Sequence, residues 1–171
     1  MSGHINIRFM TRADLKTVLD IQSLAYSGYF LESEHVITQR FLVSPQTAWI
    51  AEVNNIPCAY LIGYWSTFGK INQLDEHFVP AGKPDCLYLH DLAIAPAAQG
   101  RGIGKHLIEA AIDLTDGNAC KYIALISVQN SKSFWEQFDF NEYKNLFAEQ
   151  IEKLKAYCVE EHEAFYMVRN L

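Results

Sequence analysis

The run Leu87-Tyr88-Leu89-His90-Asp91-Leu92-Ala93-Ile94 changes hydrophobic phase in its middle. Leu87 and Leu89 fall on odd positions, Leu92 and Ile94 on even ones. Side chains of a strand alternate between faces, so these four share one face only if an extra residue is inserted near His90 and Asp91, as in a β-bulge. A continuous strand buried on both faces is the other reading. A bulge leaves backbone N–H and C=O groups unpaired, and a ligand running like an added strand can use them. Close behind follows Gln99-Gly100-Arg101-Gly102-Ile103-Gly104-Lys105 at a strand-to-helix junction. Alternating glycines permit a tight turn with consecutive exposed amides, and the next helix adds its positive N-terminal end. Such a turn suits a phosphate or pyrophosphate; a glycine-rich helix start without a ligand is the alternative. Leu92 to Ile108 contains no Asp or Glu, whereas Arg101 and Lys105 supply positive charge. Neither of two familiar cradles matches. A P-loop would need glycine at Gln99 and Ser or Thr at His106, and a dinucleotide fingerprint would need glycine at Lys105.

Around this segment the periodicities predict mixed α/β architecture on one sheet. Strands are expected at His4 to Phe9, Thr47 to Val53, Cys58 to Trp65, Leu87 to Ile94, Tyr122 to Val128, Phe140 to Tyr143 and Ala164 to Val168. Helices are expected after Thr11, over Glu32 to Val43, Gly102 to Thr115, Ser131 to Phe138 and Leu146 to Leu154. Ser66 to Asp85 has no sustained period, which marks a functional or mobile loop. With 171 residues, half of them hydrophobic, the chain suits one domain over residues 1–171. Its 20 acidic against 14 basic residues give a net charge of -6, which argues against nucleic acid or an anionic membrane as partner. The cysteines are scattered, with no C-x-x-C pair, so reduced thiols and a cytoplasmic location are expected. No metal-ligand spacing occurs, and neither a leader pattern nor an apolar run of membrane-spanning length is present.

The strand and turn together resemble the GNAT superfamily of acyl-CoA-dependent N-acetyltransferases. Its signature, a bulged strand followed by [QR]-x-x-G-x-[GA], reads here Gln99-Gly100-Arg101-Gly102-Ile103-Gly104. Phe134-Trp135-Glu136-Gln137-Phe138-Asp139-Phe140 is similar to a second family pattern, with Asp139 where glycine is usual. The resemblance implies the GNAT fold: a mostly antiparallel sheet splayed between its fourth and fifth strands, with helices on both faces. It further implies acetyl-CoA as co-substrate, no metal, and direct attack by a primary amine in a ternary complex. The acceptor is a small molecule on this reading; a protein or peptide acceptor and a non-catalytic acyl-CoA sensor are the alternatives. A monomer or homodimer is expected. The backbone of Leu92, Ala93 and Ile94 would hold the pantetheine arm, and the amides of Gln99 to Gly104, with Ile103 among them, the pyrophosphate. Arg101 or Lys105 would lie near the phosphates, with Ser131 and Trp135 also toward the cofactor.

Catalytic side chains follow less directly. Many relatives place a tyrosine acid where Trp135 stands here, so Tyr88, His90, Asp91 and Tyr143 are possible replacements. In arylalkylamine acetyltransferases, which this strand resembles locally, a histidine in the position of His90 serves as a proton relay. A core histidine at the bulge is the plainer role, and Asp91 would then tie the bulge through backbone amides. Glu52 stands where some relatives keep a carboxylate base, although a solvated strand end explains it too. Ser131 and Ser133 suit helix capping as well as cofactor contact. For the acceptor, Tyr26, Tyr29 and Phe30, with Asp75 and Glu76 in the long loop, suit an ammonium group.

Overall fold

The computed structural model describes residues 3–171. A seven-stranded sheet runs in the order β1-β2-β3-β4-β5-β7-β6. The strands are β1 (Ile5–Phe9), β2 (Ala48–Val53), β3 (Ile56–Ser66), β4 (Cys86–Ile94), β5 (Tyr122–Ser127), β6 (Asn141–Glu142) and β7 (Phe165–Asn170). Every pairing among them is antiparallel except β4 with β5. Helices α1 (Leu15–Ala25) and α2 (Glu34–Val43) cover one face, where Val18, Ile21, Ile37 and Phe41 meet Ile50, Ile62 and Tyr88. Helix α3 (Ile103–Thr115) and the short α4 (Lys132–Glu136) cover the other, where Leu107, Ile108, Ala111 and Trp135 meet Leu61, Leu89 and Leu125. Each large apolar side chain so enclosed contributes roughly 1.5–3 kcal/mol, which anchors both helical layers.

The phase change in β4 is a bulge. Asp91 pairs with Ile62 and Leu89 with Gly63, leaving His90 as the inserted residue. Leu87, Leu89, Leu92 and Ile94 consequently all face the α3 side. Pairing of β4 with β5 begins at Cys86 and stops at Leu89, while β5 stays paired with β7 to Ser127. Beyond Leu89 the two strands therefore diverge.

Local chemistry explains the element limits. Asn54 and Asn55 both adopt positive φ, 52° and 63°, as a two-residue hairpin of the primed type demands. Thr11 starts a single 3-10 turn through a capping box with Asp14, and α1 follows from Leu15. Ser33 caps α2, so this helix starts at Glu34 and leaves Glu32 outside it. Ser131 precedes α4, but its hydroxyl donates to Val128 O at 2.7 Å rather than capping, and Ser133 lies within the helix. Asp139 has φ 61°, a conformation most accessible to glycine and tolerated by Asp, and its carboxylate accepts from Arg169. Residues 67–85 have no helix or strand, as their composition predicts. The connection from β6 to β7 carries α5 (Ala148–Lys155), none of whose residues is buried.

Candidate active site

Two recesses meet at the bulge. The first, about 170 Å³, lies in the divergence of β4 and β5 and is lined by Leu89, Leu92, Leu125, Ser131, Phe134 and Trp135 among others. The second, about 30 Å³, opens on the α1–α2 side between Phe30, Leu74, Val128 and Tyr157. Tyr26, His90 and Asp91 line both. The first recess thus ends at the polar side chains where the second begins.

The backbone of the first recess suits an added strand. Ala95 donates its amide to Cys58 O of β3 at 2.8 Å. Counting back by the two-residue period, the amide of Ala93 also faces β3, whereas those of Leu92 and Ile94 face the divergence. Tyr26 Oη reaches Leu92 O from that side at 2.8 Å. Ala93 itself turns its backbone groups to β3 and its side chain to the opposite face, so of the three residues expected to hold a ligand there only Leu92 and Ile94 offer polar groups to the divergence.

A groove of about 610 Å³ continues past β4, lined by Ile94, Gly100, Gly102, Gly104, Lys105 and Phe138 among others. Gly100 and Gly102 have φ 74° and 77°, so the turn uses the left-handed freedom of glycine, and a Cβ on either would meet nothing within 4 Å. The first bond into α3 runs from His106 N to Gly102 O, so the amides of 103–105 precede the hydrogen-bonded turns. Consecutive amides, a helix start and Lys105, whose partner Glu109 is 3.7 Å away at the surface, fit a pyrophosphate. Gly104 plays a different part. A Cβ there would stand 3.0 Å from Phe134 and 3.3 Å from Ile94, so this glycine keeps α3 close to the groove wall.

The polar groups at the junction form two networks. Glu32 accepts from Arg40 Nη1 and from the amide of Asp75, and lies 3.1 Å from His90 Nε2. The side chains of Glu32, Arg40 and His90 are at most 3 % exposed. Burial pushes the Glu32 carboxyl up, but its contacts with His90 and the Arg40 guanidinium outweigh it and hold the carboxyl well below its usual range. Nδ1 of His90 is buried without a partner. Asp91 belongs to the second network, accepting from Tyr26 Oη at 2.7 Å and from Tyr60 Oη at 2.5 Å. Burial, reinforced by the charge of Glu32, raises its carboxyl above the usual range. Asp91 is thus bound to phenols and does not tie the bulge through backbone amides.

Several residues expected at the site lie elsewhere. Glu52 accepts from Arg8 Nε at 2.8 Å and from Asn6 at 3.1 Å in the β1–β2 ladder, and lines none of these recesses. Tyr88 is enclosed between Tyr64 and His90 and lines none of them either. Tyr29 is 53 % exposed and donates to Ala156 O, so only Tyr26 and Phe30 of that aromatic group line the recesses. Asp75 and Glu76 brace loop 67–85, accepting from the amides of Ser33 and Gln73. Gln99 reaches Ile94 O at 3.5 Å, and Arg101 is exposed. Glu32, Arg40 and Tyr60 escaped the sequence reading, since Glu32 and Arg40 resemble surface positions of an amphipathic helix. Among the described residues no group of His, Cys, Asp and Glu could hold a metal ion.

Comparison with known proteins bears on the family and the fold. The sequence profile of the Acetyltransferase (GNAT) family matches residues 15–140. No curated protein matches the chain by sequence. Among solved structures, the NatC complex bound to Gag peptide and CoA superposes with a TM-score of 0.72 at 21 % identity, covering 98 % of this chain and 99 % of that one. The ribosomal-protein-S18-alanine N-acetyltransferase from Escherichia coli gives 0.69 at 17 % identity, with 98 % and 94 % coverage. GphF, a GNAT-like decarboxylase in complex with isobutyryl-CoA, gives 0.73 at 10 % identity, with 96 % and 98 % coverage. With the profile spanning the bulged strand, the glycine turn and α4, the chain belongs to the GNAT acetyltransferase family.

Proposed function

We propose that the protein is an N-acetyltransferase that moves an acetyl group from acetyl-CoA to the primary amine of a small molecule, by direct attack in a ternary complex. The observation that carries this is the junction at His90 and Asp91, where the strand-divergence recess meets the recess under α1 and α2. Acetyl-CoA supplies a thioester whose carbonyl carbon accepts the amine. The amides of Leu92 and Ile94 would hold its pantetheine arm, and those of residues 100–105, with Lys105, its pyrophosphate. An amide turned into the divergence can also donate to the thioester oxygen as negative charge grows there. Trp135 closes the apolar end of the recess, packed edge-on against Phe134 and Phe140.

The cover over the second recess supports a small acceptor over a peptide. Loop 67–85 is pinned to α2 by Arg40, whose Nη2 donates to Glu76 O at 2.7 Å. It is pinned to the β6–β7 connection by Ile71 N donating to Gln150 at 2.7 Å and by Tyr157 Oη donating to Asn72 O. Tyr29 links the α1–α2 turn to the same connection through Ala156 O. A peptide would have to displace these contacts, whereas a small amine need not.

Purified protein mixed with acetyl-CoA and a panel of amines and peptides is expected to release CoA thiol with a small primary amine. Tight acetyl-CoA binding with no release across the panel would overturn the reading in favour of a sensor.

A further inference from the structure

Resting on the acetyl-transfer reading, the charge balance at the junction specifies the acceptor more narrowly. Glu32 is compensated by Arg40, the amide of Asp75 and His90. Arg40 in turn donates from Nε and Nη2 to Glu76 O and Gln73 O, and neither a hydrogen bond nor an ion pair joins it to Asp91. Among the described residues Asp91 has no cation within ion-pair distance; its donors are the neutral phenols of Tyr26 and Tyr60. The hydroxyl of Tyr26 carries one proton for two acceptors, Asp91 Oδ1 at 2.7 Å and Leu92 O at 2.8 Å. An ionised Asp91 is therefore under-supplied with donors in a partly buried setting, a costly arrangement that an incoming cation relieves.

Asp91 also lines both recesses, so it borders the acyl slot on one side and the acceptor space on the other. The acceptor recess has room for about two waters, enough for an ammonium head and its first carbon. Phe30, Leu74, Val128 and Tyr157, which also line it, offer apolar and aromatic surface. Glu32 is the other acid lining this recess and is already compensated, so a second ammonium finds no free carboxylate. An acceptor carboxylate would be placed beside Asp91 and Glu32 and repelled.

We propose that Asp91 receives the ammonium of the acceptor and takes its proton, and that the acceptor is a small, singly charged primary amine with an apolar body and no carboxylate. Asp91 accepts one proton from R–NH3+, giving R–NH2 and the neutral acid. The C–N bond then forms as the C–S bond breaks, the second nitrogen proton leaves with the sulfur as CoA thiol, and Asp91 returns its proton to water. His90, held against Glu32, acts as a positioning residue for the bulge that carries Asp91.

The test uses the full chain with acetyl-CoA and five probes: butylamine, benzylamine, 1,4-diaminobutane, norleucine and a short peptide with a free N-terminus. Wild type is expected to turn over butylamine or benzylamine at least tenfold faster, by kcat/KM, than the other three. Asp91→Asn should lower kcat about 100-fold or more. It should leave acetyl-CoA affinity unchanged and the melting temperature unchanged or raised, since it removes a partly buried charge with no cation beside it. Asp91→Glu should restore part of the rate. Preference for norleucine, the diamine or the peptide, or an Asp91→Asn variant within a few-fold of wild type, overturns this proposal while leaving acetyl transfer standing. Silence of wild type toward all five overturns the acetyl-transfer reading and the acceptor assignment with it.

Discussion

Replacing Arg40 by Met tests how the acceptor side is held together. Arg40 is 1 % exposed, pairs with Glu32, donates to the carbonyls of Gln73 and Glu76, and lies 4.9 Å from the centre of the Phe78 ring. Its loss leaves a buried carboxylate with only His90 and one amide, and leaves the carbonyls of Gln73 and Glu76 to neutral donors, with Asn72 Nδ2 at 3.2 Å from each. Breaking one partner of a buried pair costs about 3–5 kcal/mol, with the Met stem recovering some of the packing. That is a large fraction of a typical domain stability of about 5–15 kcal/mol. Glu32→Gln removes the stranded charge, so the double variant should recover about 1–3 kcal/mol relative to the sum of the single changes. Urea denaturation of the four proteins gives the cycle directly. If Arg40→Met does not fold, Arg40→Lys, which keeps the charge but not the forked donors, should lie between it and wild type. A cost below about 1 kcal/mol for Arg40→Met, or strict additivity in the cycle, would refute the view that this pair anchors loop 67–85.

Three further outcomes follow from other parts of the molecule. Gly102→Glu places a side chain with negative charge in the groove at φ 77°; acetyl-CoA affinity by calorimetry should fall at least tenfold, with a stability loss of about 1–2 kcal/mol from the left-handed backbone. Asp14, whose hydrogen bonds with Arg8 hold its carboxyl down to about 2, stabilises the fold fully above the unfolded value near 4 and loses that contribution as pH falls through 2. Discounted for the partial exposure of Arg8, Asp14→Asn should cost about 1–2 kcal/mol at pH 7 and almost nothing near pH 2, by chemical denaturation across pH. Asp91 has the opposite sign: its folded carboxyl is raised by burial and by Glu32, so ionisation destabilises the fold as pH rises, while turnover should rise over the same interval, above the ordinary carboxylate range. The groups facing it are Tyr26, Tyr60, Glu32 and His90, and a profile unchanged in Asp91→Asn would assign the titration elsewhere.

Local patterns made the fold legible where geometry is set by neighbours in the chain. The phase slip at His90 located the bulge because a strand period of two cannot absorb one residue without exchanging faces. The glycine turn was legible for the same reason, since positive φ at Gly100 and Gly102 is a local demand. The polar junction was not. Asp91 meets Tyr26 across 65 positions and Tyr60 across 31, and nothing in a sequence period relates them. Glu52 had the right place along its strand, yet the register of β1 on β2 sets it opposite Asn6 and beside Arg8, which pairs with it. Arg40 is a charged residue in a helix expected to be amphipathic, and its burial follows from the loop that folds over it rather than from its own segment.

The most direct test of the central claim is a crystal structure of the protein with acetyl-CoA bound. The pantetheine arm should hydrogen bond to the backbone of Leu92 and Ile94, the pyrophosphate should lie on the amides of residues 100–105, and the thioester should face Asp91. A cofactor seated outside the divergence of β4 and β5, or a thioester pointing away from the second recess, would contradict the account.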